Sequence, residues 1–196
     1  MSTDKRATIL TLIDTRTKPL RVIAAATTPP GGAKYQRRLR LWSADCAARA
    51  VHLLAEHPAD YQLAASAIDA ARRYANGLTD ATCLKLFHCP IGSQLYQQVK
   101  ATTFSIVAEV RLAAVLCAQA DIWHPAMACT QFARSAILKA IRHHHDHIIA
   151  DGEHELDWQV RRLGRWLSSV EPPVWPISQL APPPSRNAQS APSAPL

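Results

Sequence analysis

Glycine is scarce: the 196 residues contain 6, against 14 prolines. A phosphate cradle needs glycine to bring backbone amides close to the anion, so neither a P-loop nor a dinucleotide fingerprint is present. Cysteine is sparse and odd in number. Cys46, Cys83, Cys89, Cys117 and Cys129 include no pair at the CxxC spacing of a zinc ribbon or a dithiol redox motif. Most stand beside Ala, Leu or Ile, where a thiol behaves as a small apolar group and suits a reducing compartment. No apolar run approaches the roughly 20 residues of a membrane span. Thr11, Asp14, Arg16 and Lys18 interrupt the apolar N-terminal stretch that an export signal would need. GxSxG and HExxH are also missing. These absences predict a cytoplasmic chain without a membrane anchor, a bound cofactor or a recognisable catalytic signature.

What is present is a globular composition, 48% hydrophobic and 19% charged, with a net charge of +7. The charge is unevenly placed. Residues 1–40 hold nine Lys/Arg against two Asp/Glu, while residues 41–196 hold thirteen of each. A basic head on a neutral body suggests a polyanion or an acidic surface as a partner of the head.

The chain divides into three parts. In residues 1–32, Thr8–Ile13 (TILTLI) and Leu20–Ala26 (LRVIAAA) are short runs with β-branched residues around DTRTKP, which predicts a β-hairpin followed by a Pro-Gly linker. Residues 33–176 read as an all-α domain, a multi-helix bundle or stacked helical pairs. Leu39, Trp42, Cys46, Ala50, Leu53 and Leu54 mark one helical stripe. Leu63, Ala67, Ile68, Ala71, Tyr74 and Ala75 mark a second, with Gly77 as its C-terminal cap. Thr79 is placed to cap a short third helix. A fourth, about 94–120, carries apolar residues on several sides, as a central helix would. A fifth starts near Pro125 and extends to about residue 150, Gly152 allows a turn, and a sixth holds Leu156, Val160, Leu163 and Leu167 with Arg161, Arg162 and Arg165 placed to match its dipole. Residues 177–196 have too little apolar area to offset their ordering entropy and read as a disordered Pro-rich tail.

Three constellations are candidates for chemistry or binding. His143 and His147 lie one helical turn apart and offer two imidazoles to a metal; a solvated helix terminus, where histidines meet exposed carbonyls, accounts for the run with fewer assumptions. Lys34, Arg37, Arg38 and Arg40 form a basic cluster at a helix start, where cations oppose the dipole, so a polyanion or an acidic partner is the candidate contact. Asp45, Cys46 and His52 contain nucleophile and base types. Two helical turns, however, put about 10 Å between the thiol and the imidazole, which favours a packed thiol over a reactive one. Trp158 and Trp166, eight apart, share a flank of the last helix, either as a recognition strip or as its fastening to the bundle.

The strings Leu41–Leu54 (LWSADCAARAVHLL) and Ala67–Gly77 (AIDAARRYANG), an alanine-bearing helix pair containing His124, and Glu155–Leu163 (ELDWQVRRL) together resemble the helical immunity proteins encoded beside bacterial polymorphic toxins. The resemblance covers about residues 37–170 and rests on Asp45, Cys46, Arg72, Gly77 and Trp158, to which it assigns no chemistry. It implies a non-enzymatic protein that binds and neutralises a cognate toxin by occlusion. The alternative is a nucleic-acid-binding or regulatory adaptor that uses the basic head. Asp45 and Arg72 are also placed to form an interhelical ion pair.

Overall fold

A computed structural model of the chain describes residues 5–15, 18–29, 32–87, 105–144 and 148–168, with backbone only over 142–144 and 148–153. The expected disorder of residues 177–196 concerns a segment outside the described residues.

Eight α-helices and one 3-10 turn are described: α1 (Lys5–Asp14), α2 (Pro19–Thr27), α3 (Ala33–Ala50) running into the turn Val51–Leu54, α4 (Pro58–Ala75), α5 (Thr82–Lys85), α6 (Ile106–Cys117), α7 (Trp123–His144) and α8 (Ile148–Leu167). No strand occurs among the described residues. The first expectation to fall is therefore the N-terminal hairpin, because both of its runs are helical. Pro19 sits at the first turn of α2, where its missing N–H costs nothing. Val22, Ile23, Ala26 and Thr27 then bury one helical face. In α1 the buried Ile9 and the partly buried Ile13 lie one turn apart. Packing outweighs the few tenths of a kcal/mol that each β-branched residue loses in a helix.

Of the helix expected over about 94–120, the part 94–104 lies outside the described residues, while α6 packs on α3, α4 and α7 as a central helix would; the described helix with the most buried residues is α3. Thirteen of the eighteen α3 residues are buried, and α3 packs on α4, α6, α7 and α8. It passes through two apolar clusters. Its C-terminal half joins α4, α6 and α7 around Val51, Leu54, Ile68, Leu112 and Leu116. Its N-terminal half joins α1, α2, α8 and the start of α7 around Ile9, Val22, Leu39, Trp42, Leu163 and Trp166. The described residues of 1–32 thus share a core with the body instead of standing apart as a head. Alanines at zero exposure, among them Ala44, Ala47 and Ala48 of α3, Ala64, Ala67 and Ala71 of α4, and Ala113 and Ala114 of α6, let the axes come close.

Helix ends follow local chemistry. Gly77, at φ 69°, closes α4 by donating its N–H to Tyr74 O, and Leu78 N–H reaches Arg73 O, the paired bonds of a Schellman cap. Ser105 caps α6, accepting from Ala108 N–H. Asp80, not Thr79, receives the N–H of Thr82 at the start of α5. Gly152 lies inside α8, so the expected turn there is absent; a glycine within a helix costs about 1 kcal/mol and does not forbid it. Leu63, expected inward, is 37% exposed.

Candidate functional site

Asp45 stands at the middle of α3 with zero exposure, in the stretch where the helix meets both clusters. An isolated carboxylate there would be prohibitively desolvated, and three donors offset this. Arg72 of α4 gives Nη2–H to Oδ1 at 2.9 Å. Arg162 of α8 gives Nε–H to Oδ2 at 2.7 Å, with Nη2 at 2.6 Å. The Trp166 indole N–H donates to the same Oδ2 at 2.8 Å. The interhelical pair of Asp45 and Arg72 anticipated from the sequence is thus formed and buried. Around it, Trp42 donates to Gln159 O at 2.8 Å, while Glu155 accepts from Arg49 at 2.7 Å. The Arg49 guanidinium also lies over the Trp158 ring, 4.5 Å from its centroid.

Of the five residues carrying the resemblance, Asp45 and Arg72 meet directly. Trp158 joins through Arg49. Cys46 is packed in the apolar cluster next to this hub, and Gly77 terminates α4. Trp166 acts as a fastening of the last helix, not as part of an exposed strip.

The basic cluster at the start of α3 is arranged differently from a surface patch. Arg38 and Arg40 are each 4% exposed. Arg40 donates to the carbonyls of Cys117, Gln119 and Ala120 at the end of α6, and its guanidinium also lies over the Tyr74 ring. Arg38 donates to Leu167 O at the end of α8, a carbonyl also taken by Arg6. Arg37 donates to Ala75 O and to Asn76 Oδ1 at the end of α4. Three arginines within four positions therefore satisfy the carbonyl ends of three different helices. Their position against the α3 dipole is balanced by the negative C-terminal ends gathered around it. Arg38 and Arg40 are closed to a polyanion; of the four cluster residues, Lys34 is exposed.

The reactive candidates are quiet. Burial pushes the Cys46 and Cys129 thiols well up, and that of Cys117 to about 12, so all three are neutral near pH 7. His52 is exposed and turned toward Arg49 O, away from any thiol. Among the described residues, no group of His, Cys, Asp and Glu is gathered to hold a metal. His147 and the side chain of His143 lie outside the described residues. A second buried carboxylate, Glu109, takes Ser135 Oγ–H and Lys139 Nζ–H on a single oxygen, which ties α6 to α7. An open depression of about 590 Å³ on α4 and α5 has Asp69, Arg73, Cys83 and Leu86 in its lining, with one charge of each sign.

No family model, curated protein or solved structure matches the chain. The site is therefore understood from its own geometry. No described helix is long and apolar enough to cross a membrane.

Arg162 and Trp166, expected as a dipole-matching cation and as a fastening of the helix, also meet Asp45, a link the sequence spacing alone does not predict. Glu155, Gln159, Arg162 and Trp166 recur at intervals of three and four alongside Leu156 and Leu163, so polar residues run along the inward stripe. A cation near a helix C-terminus also matches the dipole, so Arg162 carries no mark in the sequence of its buried partner.

Proposed function

We propose that this chain is a non-enzymatic immunity protein of the cytoplasm that neutralises a cognate bacterial toxin by binding and occluding it. The observation that carries this reading is where the resemblance falls. Its strings map on α3, α4 and α8, and its charged members Asp45 and Arg72 are spent on a buried interhelical hub. A hub of this kind fixes three helices relative to one another and keeps its own groups from solvent. What it offers the outside is a rigid surface, and occlusion requires shape and charge complementarity on a surface. The nucleic-acid adaptor loses support, because Arg38 and Arg40 are turned on to helix carbonyls.

The test is co-expression with a toxin candidate encoded by a neighbouring gene. Rescue of growth together with co-purification of the pair is expected. Toxicity undiminished by the co-expressed chain overturns the reading.

A further inference from the structure

Of the nine cations of residues 1–40, Arg16 lies outside the described residues and the other eight sort into two groups. Arg6, Arg37, Arg38 and Arg40 bind carbonyls, and the Lys5 ammonium sits over the rings of Tyr35 and Trp123 at 5.2 and 4.6 Å. Lys18, Arg21 and Lys34 are exposed, and among the described residues their side chains have no ion pair or hydrogen bond. Two of these three lie one helical turn apart at the start of α2, and between them Leu20 is 55% exposed. The opposite face of α2 is locked into the core by Val22, Ile23, Ala26 and Thr27.

We propose that Lys18, Leu20 and Arg21 form the docking surface for an acidic protein partner, with Leu20 entering an apolar recess rimmed by carboxylates. This deepens the immunity reading and rests on it, naming the face through which the toxin would be held. Charge complementarity singles out the occupant. The whole net charge of the chain originates in residues 1–40, and the structure consumes most of those cations elsewhere, leaving this pair beside an apolar anchor. A phosphate backbone would engage the cations but give Leu20 nothing to bury against, and two cations make a short phosphate track. A bilayer would need an apolar face, yet the apolar face of α2 is turned into the core. An aliphatic anchor between charges on a preorganised helix is the arrangement that a protein interface rewards.

The experiment titrates the full chain against four labelled probes: a Glu-rich peptide interspersed with Leu, an all-Glu peptide, a DNA duplex and phosphatidylglycerol vesicles. Leu20→Ser is expected to weaken the Glu/Leu peptide about fivefold and leave the all-Glu peptide unchanged. Lys18→Glu with Arg21→Glu is expected to weaken both peptides about tenfold or more. All three positions are exposed, and an unchanged circular dichroism spectrum checks that the variants stay folded. Indifference of the Glu/Leu peptide to Leu20→Ser overturns the proposal. So does tighter binding of duplex or vesicles through the same two cations. In the co-expression assay, rescue by the double charge reversal as efficient as by the wild type removes this surface and leaves the function standing. If the wild type itself fails to rescue, the immunity reading falls, and the peptide titration alone judges the surface.

Discussion

Trp166 donates its indole N–H to the Asp45 carboxylate at 2.8 Å, across 121 positions of sequence and from the last described helix to the most buried one. The same oxygen also receives Arg162. One aspartate thus decides how α8 sits on α3, while its other oxygen decides how α4 does.

Replacing Asp45 with Asn keeps the shape and removes the charge, so that Arg72 and Arg162 lose the carboxylate they share. Loss of one partner of a buried pair costs about 3–5 kcal/mol. Urea unfolding of Asp45→Asn should show a midpoint lowered to match. A loss under about 1 kcal/mol would mean that the arginines find other partners or reach water.

Arg40→Met removes the donor that satisfies three carbonyls at the end of α6. The expected cost is about 3 kcal/mol, since charged hydrogen bonds to buried acceptors are worth about 1.5–3 kcal/mol each and do not add fully. Lys34→Met, six residues earlier on the same helix and exposed, should stay within about 0.5 kcal/mol of wild type. Equal effects of the two, by chemical denaturation, would contradict the capping role.

Burial raises the pKa of Glu155 above the usual carboxylate range, and Arg49 only partly opposes this. With a folded pKa above the unfolded one, the stabilising contribution is full in acid, below the unfolded pKa, and is lost as pH rises through the folded pKa. Glu155→Gln keeps an acceptor for Arg49 and cannot ionise. Its thermal midpoint relative to wild type should therefore improve on going from acid to neutral pH. A difference that is flat or runs the other way would show that the Arg49 contact dominates.

Two glycines should answer alanine in opposite directions. At Gly77 the φ of 69° disfavours any Cβ even though nothing lies within 4 Å of it, and Gly77→Ala should cost about 1 kcal/mol. Gly164 is inside α8 with Ile13 Cδ1 at 3.4 Å from the position of a Cβ, an ordinary contact. Gly164→Ala should gain up to about 1 kcal/mol from helix propensity. Differential scanning calorimetry of the two variants checks both signs, and destabilisation at Gly164 would mean that α1 cannot yield there.

The helical body was legible because its signals are local and repeated. The stripe through Leu39, Trp42 and Cys46 and the cap at Gly77 needed only spacing and one backbone conformation. The N-terminal helices were not, because TILTLI and LRVIAAA are too short for periodicity to outweigh β-branched content, and what settles them is contact with α8, a helix more than a hundred residues away. The Asp45–Arg72 pair was within reach of pattern reasoning. The arginine caps were not, since a run of cations looks the same whether it faces water or the carbonyl ends of other helices.

The arginines at the start of α3 also constrain the order of events during synthesis. Arg37, Arg38 and Arg40 are made early, and their carbonyl partners emerge 38, 129 and 77–80 residues later. Until α8 leaves the ribosome, Arg38 lacks the Leu167 carbonyl and Asp45 lacks two of its three donors. The apolar cluster shared by α1, α2 and α3 is thus completed only when α8 docks. A chain cut short before α8 would leave the apolar faces of α1, α2 and α3 that α8 covers open to proteolysis.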